Sequence, residues 1–153
     1  MVGCWVSAGW SSGLAVAEGQ DWRDCEGPGS DRSGLAGVVV ARERRRHGAT
    51  VSVCGYLVDT YCLGVKDALG PRVMDRHELR RFVGYFFEPF DGGPLDAPIE
   101  LARNLVWGAV EYARGLGFEP APGFRNRAPR SVDRSKPHRL RALRRTLLRA
   151  GAL

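Results

Sequence analysis

Apolar residues recur with a period of two in the first half of the chain. Three runs have this pattern or are rich in β-branched residues: 2–10, 35–42 and 50–58. In the third run Val51 and Val53 fall on one face and Cys54 and Tyr56 on the other, because successive strand side chains alternate. Neither face is strongly charged, which predicts a central strand. The polar, glycine-containing connection between the second and third runs predicts a hairpin.

A period near 3.6 residues predicts two amphipathic helices further along the chain. The first follows Asp75, with Glu78 at capping-box spacing, and Pro89 stops it. The second begins after Asp96 or Ala97 and ends near Gly117. Its predicted buried stripe consists of Ala102, Leu105, Val106, Ala109, Ala113 and Leu116.

These elements predict a small α+β fold in which a mainly antiparallel sheet of about three strands packs against the two helices. Residues 1–124 form the predicted single domain, and 11–34, rich in Gly, Ser and Asp, form an irregular insertion or loop. Residues 125–153 form a predicted arginine-rich tail, with a basic helix at about 137–150 carrying Leu140, Leu143 and Leu147 on one stripe.

The composition narrows the class of protein. With 153 residues, of which 44% are hydrophobic, the chain can bury one ordinary core. No apolar run reaches the roughly 18 residues of a membrane span, and the first 19 residues lack the basic start of a secretory signal. Four cysteines with no Cys-x-x-Cys pair favour reduced thiols. We therefore expect a cytoplasmic protein that does not contact a membrane.

Positive charge is concentrated at the C-terminus. Residues 1–124 carry 13 basic and 16 acidic residues, whereas 125–153 carry 10 basic residues and one acidic residue. Such a segment attracts phosphate backbones or an acidic protein surface. The candidate nucleic-acid-binding residues are Arg139, Arg141, Arg144, Arg145 and Arg149. Only two of the 23 basic residues are lysines, as expected of a GC-rich bacterial genome, so codon bias alone also explains part of this arginine content.

The stretch GYLVDTYCLGVKDALG, residues 55–70, holds the candidates for catalysis. Asp59, Lys66 and Asp67 could orient a proton donor or a phosphate where the chain leaves a strand, with Asn104 or Glu111 contributed by the long helix. In the alternative structural interpretation, the glycines serve turns and the charged residues are solvated.

Metal and thiol chemistry have weaker support in the sequence. Cys54, Cys62, His47 and His77 are zinc-type ligands, but the closest cysteines are eight positions apart, so we predict no metal and no cofactor. A Cys62–His77 nucleophile and base pair remains formally open.

Aromatic residues offer a third kind of site. Trp107, predicted on the helix face opposite the apolar stripe together with Glu100, Asn104 and Glu111, either marks a contact surface or covers the rim of the core. The aromatic cluster Tyr85, Phe86 and Phe87 could belong to the same protein-interaction surface.

Three segments, SGLAGVVVAR, GYLVDTYCLGVKDALG and PIELARNLVWGAVEYARGLGFEP, resemble a family of small uncharacterised bacterial proteins. In that family a YLVD-x-YCLGVKD core precedes a helix ending in YAR-x-LGF-x-P. The resemblance covers roughly residues 34–124 and implies a shared small α+β fold, without an established activity. After Phe124 the family continues into a further ordered segment, often with an FG-x-DGKP-like stretch. A divergent basic tail or a reading-frame change would each explain the departure.

The sequence thus favours an accessory or regulatory protein without enzymatic activity that binds an anionic partner, most plausibly nucleic acid, through its C-terminal arginines. No helix-turn-helix or RNA-binding motif predicts sequence-specific readout. The alternatives are an enzyme acting on a phosphorylated or nucleotide substrate and a protein-interaction module.

Overall fold

The computed structural model describes residues 2–12, 14–16, 22, 34–45, 48–127 and 143–145. Its strands and helices, in chain order, are β1 (Gly3–Ser7), β2 (Leu14–Val16), β3 (Leu35–Glu43), β4 (Thr50–Asp59), β5 (Gly64–Asp75), α1 (Arg76–Phe87), β6 (Pro94–Asp96), α2 (Ile99–Gly115), α3 (Pro122–Arg127) and β7 (Leu143–Arg145). In this part of the chain no helix is long and apolar enough to cross a membrane.

The main sheet has five strands in the order β5-β4-β3-β1-β6, and every neighbouring pair is antiparallel. The α+β class is confirmed, but the prediction of about three strands is wrong because β5 and β6 were missed. β6 has only three residues, too few to show a period. β5 has twelve, but two register irregularities against β4 break its alternation and Pro71 lies within it. Both lie at the edges of the sheet, where proline and polar residues are tolerated.

The outer side of β5 is partly closed by the chain itself. The backbone N–H of Ala121, just before α3, donates to the Val65 carbonyl at 2.9 Å. Pro71, further along the same strand, has no N–H to offer.

β4 lies between β3 and β5, as its uncharged faces predicted. The predicted alternation is also observed: Cys54 and Tyr56 pack among residues under α2, whereas Val51 and Val53 pack under α1. The sheet therefore has a helix on each face. Fully buried side chains such as Leu101 and Val106 anchor α2, each contributing roughly 1.5–3 kcal/mol from burial.

α1 begins with the predicted capping box. The Asp75 carboxylate accepts from the backbone N–H groups of His77 and Glu78 at 2.7 and 2.8 Å, and Glu78 accepts from the Asp75 N–H at 2.9 Å. The bond from the Glu78 N–H is the main cause that lowers the pKa of Asp75 from its ordinary value of 3.8.

α2 ends as predicted but begins differently. Gly117 has a φ of 89°, the left-handed conformation expected just beyond a helix. The N-cap, however, is Pro98 and makes no side-chain hydrogen bond. Asp96 does not cap the helix because it belongs to β6, where it pairs with Trp5 of β1.

The prediction of a basic helix at about 137–150 is wrong for residues 143–145. Residues 143–145 form β7, which pairs antiparallel with β2: Leu143 faces Val16 and Arg145 faces Leu14 in the register. A stripe of three leucines gives a short helix little apolar surface to bury, and pairing with β2 satisfies the backbone instead. β2 itself lies within the predicted irregular insertion 11–34. The rest of the predicted helix lies outside the described residues.

Candidate functional site

Asp59, the first of the predicted catalytic residues, holds the turn between β4 and β5. Its Oδ1 accepts from the backbone N–H groups of Tyr61 and Cys62 at 2.8 and 3.2 Å, and the Cys62 thiol donates to Oδ2 at 3.6 Å. Such local side-chain bonds stabilise a turn. The geometry therefore assigns this carboxylate a structural task.

The same turn is attached to two other parts of the fold. Thr60 is buried and donates through both its N–H and its hydroxyl to the Gly34 carbonyl, at 2.8 and 3.0 Å. On the other side, Gly64 lies against α2: a β-carbon there would be 3.0 Å from both the Ala109 carbonyl oxygen and the Ala113 β-carbon. The stretch quoted above, residues 55–70, thus joins the sheet to the helix.

Lys66 and Asp67 are exposed on β5, immediately after this turn. Lys66 falls at a register irregularity, because Val58 pairs with Val65 and Leu57 with Asp67. The Asp67 carboxylate accepts from the adjacent Ala68 N–H at 2.8 Å.

A cleft of about 560 Å³ lies on the α1 side of the sheet. Its described lining is Leu35, Leu57, Asp67, Phe86, Pro89, Phe90 and Asp91. This lining includes Asp67 and neither Asp59 nor Lys66, so the structure does not bring the three predicted residues together there. The volume is in the range of small-molecule sites.

Two glycines of the sheet make room for the aromatic wall of this cleft. A β-carbon on Gly55 would lie 2.8 Å from the Phe86 ring, and one on Gly37 would lie 2.9 Å from the Phe90 ring. Among the described residues of the lining, the charged side chains are the two carboxylates, Asp67 and Asp91. Such a cleft suits an apolar group with a positive charge, since two carboxylates repel a phosphate.

Asn104 lies on the opposite side of the sheet from the cleft. Only 5% exposed, it packs into α2's buried face, and its Nδ2 donates to the Glu100 carbonyl at 2.8 Å. Its Oδ1 has no hydrogen-bond partner in the described part of the chain. The prediction that Asn104 faces away from the core is wrong: the buried face of α2 is wider than the predicted stripe and also includes Leu101 and Val110.

The aromatic candidates separate by exposure. Trp107 is half-buried and makes an edge-to-face contact with Phe124, with ring centroids 5.3 Å apart, as expected of a side chain at the rim of the core. Phe87 is 1% exposed, whereas Tyr85 is 76% exposed. Tyr85 is therefore the most exposed member of the predicted aromatic cluster.

The three described cysteines, Cys4, Cys54 and Cys62, do not form a reactive set. Cys4 and Cys54 both pair with Val40, on either side of β3, so their Cα atoms are two strand spacings apart, about 10 Å, which is too far for a disulfide. Cys62 and His77 flank opposite ends of β5, a strand of twelve residues, or roughly 40 Å at full extension. This separation rules out direct contact between them. Among the described residues, no three His, Cys, Asp or Glu side chains are grouped so as to hold a metal ion.

The C-terminal arginines are described only in part. The backbone of Arg144 and Arg145 belongs to β7 and is hydrogen-bonded to β2. Arg139, Arg141 and Arg149 lie outside the described residues.

Comparison with known proteins adds no assignment. No protein-family model matches the chain, and no curated protein or solved structure was found to be similar. The resemblance to small bacterial proteins stays a prediction.

Proposed function

We propose that this protein is an accessory or regulatory protein that binds nucleic acid through its arginine-rich C-terminal segment. The observation that carries the proposal is the charge of residues 125–153, with ten basic residues and one acidic residue. Each phosphate neutralised by an arginine releases condensed counterions, so the expected binding is salt-dependent and largely independent of sequence. Pairing of β7 with β2 supports a tail that is attached to the folded domain at 143–145.

The alternative hypothesis of an enzyme acting on a phosphorylated substrate has less support. Asp59 is engaged in its turn, and the charged residues in the described lining of the cleft beside Asp67 are carboxylates. The interaction-module hypothesis is supported mainly by the exposed Tyr85, since Phe87 is buried and Phe86 and Trp107 are half-buried.

Substitution is a better test of the proposal than truncation. A chain ending at Phe124 would cut α3 and remove β7, the partner strand of β2. We therefore choose the tail variant Arg139→Gln, Arg141→Gln and Arg149→Gln, which leaves both elements intact. The control variant Arg23→Gln, Arg32→Gln and Arg114→Gln removes the same charge elsewhere.

The measurement is the affinity for a labelled 20-base-pair DNA duplex across a salt series from 50 to 200 mM, by fluorescence anisotropy. If each tail arginine contacts one phosphate, the slope of log affinity against log salt becomes shallower by about 2.7 in the tail variant, at about 0.9 per contact. The control variant should keep the parent slope. A tail variant with the parent's affinity and slope would refute the proposal. Polyglutamate serves as a second probe that imitates an acidic protein surface. If the tail variant lost affinity for polyglutamate and kept the parent's affinity for the duplex, the partner would be an acidic protein surface and not nucleic acid.

A further inference from the structure

Charge within the folded part of the chain is segregated along the sheet. The end formed by the β3–β4 hairpin, the last residues of β5 and the first turns of α1 is here named the basic end. Its described charged residues are seven arginines and three carboxylates: Arg42, Arg44, Arg45, Arg72, Arg76, Arg80 and Arg81, with Glu43, Asp75 and Glu78.

Strand register brings these arginines, which come from separate parts of the sequence, to one end of the sheet. Arg42 of β3 pairs with Ser52 of β4, which pairs with Val73 of β5, next to Arg72. Two strand spacings, about 10 Å, therefore separate the backbones of the two arginine-bearing strands. α1 starts directly after β5, and Arg76 at its start binds Glu43 of β3 at 2.8 Å.

The three carboxylates of the basic end are already engaged. Glu43 pairs with Arg76, and Asp75 and Glu78 bond to backbone N–H groups in the capping box. In contrast, four of the arginines have exposed side chains and make no ion pair with another described residue: Arg45, Arg72, Arg80 and Arg81. Of these, Arg80 is close enough to Asp75 for its charge to help lower the pKa of that carboxyl. The positive charge of this end is thus directed to solvent.

The rest of the folded part has the opposite sign. The other described residues from 34 to 124 include three basic residues and eight carboxylates. The basic residues are Lys66, Arg103 and Arg114, and the carboxylates are Asp59, Asp67, Glu88, Asp91, Asp96, Glu100, Glu111 and Glu119. The net negative charge of residues 1–124 therefore conceals a positive end that would orient an approaching polyanion.

We propose that the basic end binds the phosphate backbone of a nucleic-acid duplex. Guanidinium groups on three elements can each form paired hydrogen bonds to a phosphate. Binding of single strands depends on exposed aromatic side chains on which bases stack. Among the described residues of this end the aromatic side chain is Phe82, which is partly buried and packs against the core under α1. This surface lies wholly before Phe124, so it does not depend on the origin of the tail.

The test replaces one exposed arginine on each element: Arg45→Gln, Arg72→Gln and Arg80→Gln. With the same duplex and salt series, this domain variant should show a slope shallower by about 2.7, whereas the control variant Arg23→Gln, Arg32→Gln and Arg114→Gln keeps the parent slope. Far-UV circular dichroism and the urea midpoint, compared with those of the parent, establish that the variant is folded.

The domain and tail variants separate this inference from the proposed function. If the slope is shallower in the domain variant and unchanged in the tail variant, the result supports binding by the basic end and refutes binding by the tail. The reverse result overturns this inference and leaves the tail as the binding site. If the domain variant loses binding only to vesicles of anionic phospholipid, and binds the duplex as the parent does, the surface recognises lipid headgroups and the duplex assignment is wrong.

Discussion

The contact between the β4–β5 turn and α2 depends on a single glycine. Gly64 has a φ of 71°, and a β-carbon at this position would be 3.0 Å from the Ala109 carbonyl oxygen and from the Ala113 β-carbon. Gly64→Ala therefore combines an unfavourable backbone conformation with a steric conflict against helix backbone, which cannot move aside as a flexible side chain can.

Gly48, in the β3–β4 connection, offers a control for the backbone term. Its φ is 65°, and a β-carbon there would meet nothing within 4 Å. The left-handed conformation costs an alanine roughly 1–2 kcal/mol, partly offset by the lower entropy of the unfolded chain. We expect Gly48→Ala to destabilise the fold by about 1 kcal/mol. Gly64→Ala adds an overpacking cost of about 1–3 kcal/mol, for a total of about 2–4 kcal/mol.

Urea denaturation followed by circular dichroism measures both variants against the parent. Gly64→Ala should lower the midpoint by at least twice the shift of Gly48→Ala, at an unchanged dependence on denaturant. Equal shifts for the two variants would show that the turn does not pack against α2 as described. If Gly48→Ala lowered the free energy of unfolding by as much as about 3 kcal/mol, the cost of the backbone conformation could not be separated from the cost of overpacking against α2.

Two further predictions concern carboxylates that stabilise local structure. Asp59→Ala removes two backbone hydrogen bonds from the turn, so it should lower the free energy of unfolding in urea by about 1–2 kcal/mol. Asp67→Ala should lower it by less than about 0.5 kcal/mol, because this exposed carboxylate bonds only to the next residue among the contacts described. Equal effects would contradict the proposed role of Asp59 in the turn. The pKa of Asp75 is lower in the folded state than in the unfolded state. The ionised Asp75 therefore stabilises the fold above the unfolded-state pKa of 3.8, and this stabilisation is lost as the pH falls through the folded-state pKa. The stability difference between the parent and Asp75→Asn should therefore shrink on acidification from about pH 5 to pH 2, and a constant difference would argue against this cap.

Elements with a buried face and local signals could be predicted from the sequence. The two faces of β4, the capping box of α1 and the end of α2 at Gly117 each depend on residues adjacent in the chain. β5 could not be recognised, because an edge strand with an irregular register need not alternate apolar and polar residues. β7 could not be recognised because its pairing with β2 joins residues far apart in sequence.

The candidate sites depended even more on tertiary contacts. Clustering in the sequence suggested that Asp59, Lys66 and Asp67 would converge, whereas the turn engages the first and the cleft borders only the third. The basic end was missed because its arginines are divided between residues 42–45 and 72–81, which only the strand register brings together. A count of charge along the chain averages this end with its acidic surroundings.

The edges of the main sheet affect how copies of the protein can associate. Fibrillar aggregation starts most readily where a long strand presents an uninterrupted row of backbone donors and acceptors to another chain. β6 presents only three residues, while on β5 the Val65 carbonyl is already bonded to Ala121 and Pro71 lacks a donor. Neither edge offers a long continuous template, so the folded sheet is protected against growth by strand addition at high protein concentration.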